Sequence, residues 1–206
     1  MAYWTALAVL NQTSGELGLP QISTITGLTD IQAVQMLALL NSAGNELLMY
    51  YPWEQFATEW TFATVDGEDS YDLPTDCAYF TDQTQWDRTN HWPLLGPKSP
   101  QEWAWLKGSL VAALPRQRFR IQNNQLKLWP VPSSPSFTLS MEYISVNWVL
   151  GGGTTPQSMI VSNGDILQYD PWLLIKFVKF KFYELKGLDA TGVNPDFMRV
   201  FNSLTR

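Results

Sequence analysis

The hydrophobic periodicity of this chain changes twice, and those two changes constrain its fold more than any other feature. Up to about residue 56 the apolar residues recur at helical spacing. From residue 57 they alternate in short runs, and at residue 171 helical spacing returns. Trp4, Leu7, Ala8, Val9 and Leu10 form a helical stripe over residues 4–15, stopped by Gly15, Gly18 and Pro20. A second stripe runs from Ile31 through Val34, Leu37 or Met36, Leu40, Leu47 and Leu48 to Tyr51. Thr29 or Asp30 can cap it by accepting an orphan backbone N–H. Pro52 ends or kinks it, and residues 53–58 read as one more turn. At the far end, Asp170 before Pro171 starts a helix that Gly187 closes, and Pro195–Leu204 reads as a last short one.

Between the two helical ends the grammar is that of strands. Glu59–Val65 alternates, Asp66-Gly67 is a hairpin signal, and Ser70–Leu73 reads as the returning strand. Ala78–Gln85 suggests a further strand. Residues 93–135 hold seven prolines, which favours loops and short edges. The exception is Ser99–Gly108, a short helix with Ser99 as its cap. Arg118–Gln122 and Gln125–Trp129 flank Asn123-Asn124 as a hairpin, and Ser136–Val146 alternates as a long strand. Gly151–Pro156 reads as a flexible loop. The expected fold is α+β: an antiparallel helical bundle from residues 1–56 and 171–206, with residues 57–170 inserted as an antiparallel β-rich part.

Composition limits the chemistry. Only 16% of the 206 residues are charged, against roughly 25% in an average soluble protein. Ten Trp, 8 Tyr and 10 Phe argue against disorder and for large apolar contacts. A single cysteine, Cys77, excludes an internal disulfide, and a single histidine, His91, leaves little for a triad or a histidine metal cluster. No apolar run approaches a membrane span, and Met1-Ala2-Tyr3-Trp4 does not read as a signal peptide. The acidic run Asp66–Asp76 fails the EF-hand spacing, because Tyr71 and Cys77 stand where Gly and Glu are needed. No phosphate loop or nucleophile elbow occurs. These residues imply no enzyme, cofactor or metal.

Charge is distributed in blocks. Residues 1–87 hold twelve acids and no base, while all 13 bases and the other seven acids follow. Either the two halves pair within one fold, or an acidic face of one copy meets a basic face of another. Arg116, Arg118 and Arg120 have period two and would share a strand face, which Lys127 on the partner strand can join. These four are the expected inter-subunit residues. Lys176, Lys179 and Lys186 share one side of the last long helix.

Several stretches carry a family resemblance. They are Leu39-Leu40-Asn41, Glu46-Leu47, Trp53-Glu54-Gln55-Phe56 and Glu59-Trp60-Thr61-Phe62, leading into the run Asp66–Asp76. Thr84-Gln85-Trp86-Asp87-Arg88, Trp92-Pro93-Leu94 and Ser99-Pro100-Gln101-Glu102-Trp103 follow. Gly18-Leu19-Pro20, Ile22-Ser23-Thr24-Ile25 and the ending Leu204-Thr205-Arg206 extend the likeness. Together they resemble the head-to-tail adaptors of short-tailed bacteriophages, the tail tubular protein A type. The resemblance implies a structural virion protein, assembled in the host cytoplasm into a twelve-copy ring. Such a ring joins the portal protein to the tail nozzle protein and lets DNA pass without specific binding. It also implies a C-terminal segment that docks on the portal. Here Phe197, Val200, Phe201 and Leu204, spaced along one helical face, either dock on the portal, as the resemblance implies, or cap the protein's own core. The competing expectation is a receptor- or glycan-binding tail module that uses exposed tryptophans as platforms.

Overall fold

The computed structural model describes residues 3–108 and 116–206. In chain order, helices α1 (Ala6–Glu16) and α2 (Ile31–Tyr50) precede strands β1 (Ala57–Ala63), β2 (Ser70–Asp72), β3 (Cys77–Phe80), β4 (Trp86–Asp87) and β5 (Trp92–Pro93). Helix α3 (Pro100–Gly108) comes next, then β6 (Arg118–Gln122), β7 (Gln125–Trp129) and β8 (Thr138–Ser145). Strands β9 (Val149–Gly151), β10 (Thr155–Gln157) and β11 (Ile166–Leu167) lead to helices α4 (Pro171–Lys186) and α5 (Val193–Leu204). The architecture is α+β, with helices at both ends, a β-rich middle and antiparallel sheets.

The chain forms two compact units. One holds the residues up to Phe56 together with Val146–Arg206, the other Ala57–Ser145. Residues 146–170, assigned above to the β-rich part, therefore fold with the helices. Their expected flexible loop is a built hairpin. β9 pairs with β10 and β11, and Gly152 and Gly153 make the turn at φ 57° and 82°. Glycine adopts the two consecutive positive φ values of this three-residue loop, residues 152–154, without strain.

In the helical unit the caps follow the sequence. The Asp30 carboxylate accepts from Ala33 N at 3.0 Å, and Asp170 accepts from Trp172 N at 2.9 Å and Leu173 N at 3.1 Å. Gly187 turns left-handed at φ 65° to end α4. Helix α4 lies in the middle, touching α1, α2 and α5. Its core is aromatic: Trp53, Phe56, Trp148 and Tyr169 are all buried. Each polar tip finds a partner, as burial demands. Trp53 Nε1 donates to Leu47 O at 2.7 Å, Tyr169 Oη to Gly44 O at 3.0 Å, and Trp148 Nε1 to Ser158 O at 2.9 Å. Gly44 is required because a Cβ there would lie 2.3 Å from the Trp148 ring. The buried Asp165 ties β9–β11 together through neutral donors, accepting from Val161 N at 2.7 Å, Ser162 N at 2.9 Å and Gln157 Nε2 at 2.8 Å.

The second unit is a two-layer sandwich. In one sheet β8 is central, with β1 on one side and β3 and β4 on the other, and β5 extends it beyond β4. The other sheet has the order β2-β7-β6. The β6–β7 hairpin forms as expected, with Asn123 and Asn124 at φ 53° and 56°. The expected β1–β2 hairpin does not. A turn is present, with Gly67 at φ 80°. However, β1 pairs with β8 and β2 with β7, so the turn carries the chain from one sheet to the other. The apolar face of β1, Trp60 and Phe62, needs a long partner, and β8 supplies Met141 and Leu139 opposite them, which the three-residue β2 does not. The inner faces of both sheets meet in a core of Phe119, Leu126, Leu128, Leu139 and Met141 with Leu94. Because strand side chains alternate, this core fixes what faces outward on each layer.

Candidate assembly surfaces

The outer face of the β1–β8 layer carries Glu59, Ser140, Glu142 and Trp86. Glu59 stands directly opposite Glu142, and Trp86 opposite Ser140. Like charges directly opposite each other destabilise a strand pair unless a counter-charge intervenes. For Glu59 one does: Arg88 Nη2 lies 2.9 Å from its carboxylate, and the Ser140 hydroxyl donates to it as well. The Ser140 bond and then Arg88 hold its carboxyl below the usual glutamate value. Glu142 has no ion pair among the described residues. These side chains, with Gln83 and Thr84, line a groove of about 340 Å³ beside Trp86, which is 39% exposed.

The outer face of the β2-β7-β6 layer has the opposite sign. Arg118, Arg120 and Lys127 project there, and Arg120 stands directly opposite Lys127. Lys127 Nζ donates to Ser70 Oγ at 3.2 Å. Lys107, reaching from α3, lies 3.7 Å from Asp69. The Ser70 hydroxyl first, then Lys107 and Lys127, lower the Asp69 carboxyl below its ordinary value. Arg120 has no carboxylate partner among the described residues, and Arg116 is exposed without one. Arg118 Nη1 is buried and bonds to nothing among them. The structure thus brings Arg118, Arg120 and Lys127 onto one face, with Arg116 just outside the strand.

The blocked charge pattern resolves in part inside the chain, where four of the twelve acids of residues 1–87 pair with later bases. Glu16 meets Lys176 at 3.3 Å and Lys179 at 3.1 Å, and Glu46 meets Lys181. Within the sandwich Glu59 meets Arg88 and Asp69 meets Lys107. Among the described residues the cations of β6 and β7 have no ion pair, and neither have Arg116, Lys186 and Arg206.

The C-terminal face is turned inward. Phe197 is buried and stacks on Phe177 at 4.4 Å, while Phe201 meets Tyr50 at 6.3 Å and Trp53 at 6.1 Å. Val200 and Leu204 are half-buried on the same side. Leu185, Leu188 and Met198 remain exposed in this region.

Among the described residues little chemistry converges. A hollow of about 190 Å³ between the end of α1 and the start of α2 holds Asp30 as its one carboxylate, and Asp30 caps α2. Burial first and the Asp76 charge second push the Cys77 thiol up to about 11, away from reactivity. Among the described residues no cluster could hold a metal ion, and no helix is long and apolar enough to cross a membrane.

The family model for the SU10 adaptor protein matches residues 5–184, which run through both units. The chain belongs to the SU10 adaptor protein family. It is a structural protein of the bacteriophage virion, an adaptor that works among other head and tail proteins. No curated protein matches it. Sequence reasoning located the basic strand of this adaptor but missed Glu142 and Asp165. Glu142 gains meaning only from its register opposite Glu59, and Asp165 only from the donors that the fold collects around it.

Proposed function

We propose that copies of this adaptor close into a twelve-membered ring that joins the portal to the tail nozzle, with DNA passing through its centre. The observation that carries this reading is the family match across residues 5–184, spanning both units. Two features support it. A ring closes through head-to-tail contacts, which need two different complementary patches on each copy. The sandwich carries an acidic and a basic outer face on its opposite layers. The chain's net charge of −6 also suits passage of DNA rather than a grip on phosphates.

The C-terminal helix is the proposed portal contact. Its face of Phe197, Val200, Phe201 and Leu204, which lies on the chain's own bundle, would be exchanged for portal surface on docking. Mixing purified adaptor with portal rings and tail nozzle, then weighing the products by native mass spectrometry, tests the assignment. A portal complex carrying twelve adaptors that then captures the nozzle is expected. An adaptor that leaves portal rings bare, or binds the nozzle alone, would remove it.

A further inference from the structure

We propose that the copy-to-copy contact is made by the two outer faces of the sandwich, with Glu142 of one copy meeting Arg120 of the next. The inference rests on the ring reading above and names the surfaces that build the ring. Its starting point is a symmetry of defects. On one layer Glu59 faces Glu142 across a strand pair, and on the other Arg120 faces Lys127. Each arrangement is unfavourable within one chain. Each is half-relieved internally, Glu59 by Arg88 at 2.9 Å and Lys127 by the Ser70 hydroxyl at 3.2 Å. Glu142 on the first layer and Arg120 on the second have no ion pair among the described residues, nor has Arg118 beside Arg120, and the two faces have opposite sign.

Their placement fits a head-to-tail contact. The two layers share one core, so their outer faces point away from each other. A surface that binds on one side and is bound on the other repeats from copy to copy, as a ring requires. The groove at Glu142 also suits a guanidinium. It is about 340 Å³, offers the Glu142 carboxylate, and has the partly exposed Trp86 at its wall. A planar cation is favoured both by a carboxylate and by the face of an indole.

Charge reversal and its repair test the proposal. Arg120→Glu and Glu142→Arg are made singly and together, and full-length proteins are mixed with portal rings at low and high salt. Ring occupancy is read by electron microscopy and folding by thermal melting. Each single reversal should weaken assembly by at least about tenfold, since like charges then face each other. The double variant should recover it. So should an equal mixture of the two single variants, because copies alternating around an even-numbered ring pair every site correctly. Arg120→Gln and Glu142→Gln, which remove charge without reversing it, should weaken assembly less and mainly at low salt. Wild-type rings with unaffected single variants would overturn this contact while leaving the ring intact. A double variant no better than the singles, with normal melting, would also overturn it. Absence of wild-type rings would overturn both readings. Saturable oligosaccharide binding lost in Trp86→Ala, with assembly unaffected by Glu142→Arg, would assign the groove to a sugar instead.

Discussion

The helical unit and the sandwich handle charge in opposite ways. In the helical unit each ion pair joining distant residues links an acid of the first two helices to a lysine of α4: Glu16 to Lys176 and Lys179, and Glu46 to Lys181. Even its buried carboxylate, Asp165, is satisfied by neutral donors from the same unit. In the sandwich, strand register sets Glu59 against Glu142 and Arg120 against Lys127. A fold that needed only to be stable would avoid both pairs. Local conflicts of this kind concentrate where a protein works. If the proposed ring contact holds, the first unit's interior ion pairs serve folding while the second unit's outer faces serve copy-to-copy contact.

Substitutions in the helical core should therefore break the fold and with it everything else. Trp148→Ala removes a fully buried indole and two hydrogen bonds, and should lower stability by about 3–5 kcal/mol, read by chemical denaturation. Phe197→Ala strips the stacked partner from Phe177 and should cost about 3 kcal/mol. Deleting residues 194–206 should abolish portal binding and also lower the melting temperature, since it uncovers Phe177. Portal binding retained by that deletion would move the docking surface elsewhere.

A smaller effect comes from Asp165, and it depends on pH. Burial raises its carboxyl, but the Ser162 hydroxyl and the Val161, Ser162 and Gly152 N–H groups outweigh that and hold it below the ordinary aspartate range. A depressed folded value means stability that is complete above the unfolded value and lost as pH falls through the folded one. Asp165→Asn should cost about 1–3 kcal/mol at neutral pH and flatten the acid limb of the stability curve. An unchanged acid limb would show that Asp165 is not what titrates there. Least of all, Glu16→Gln loses two partly exposed ion pairs and should cost under about 1 kcal/mol. The sandwich charges Arg120 and Glu142 sharpen the contrast, because changing them should leave melting nearly unchanged while altering assembly.

Helices were the legible part of this sequence. Asp30, Asp170, Pro171 and Gly187 act locally, and each does in the structure what its position suggests. The β6–β7 hairpin was legible for the same reason, since Asn123-Asn124 determines its own turn. Asp66-Gly67 shows the limit. It encodes a turn but not which strand comes after it, and the choice of β8 over β2 was made by the apolar face of β1. The β9–β11 sheet was hidden because its strands have two or three residues and are held by Asp165 rather than by periodicity. The basic row of β6 could be read from spacing alone. Its counterpart at Glu142 could not, because nothing in the order of residues places it opposite Glu59.

The most direct measurement is an electron-microscopy reconstruction of the adaptor bound to its portal, at a resolution that separates strands. The account predicts a closed ring of twelve copies in which the outer face of the β1–β8 layer of each copy packs on the β6–β7 face of the next, with Glu142 within ion-pair distance of Arg120. A ring with both faces open to solvent, or an adaptor bound as isolated copies, would contradict it.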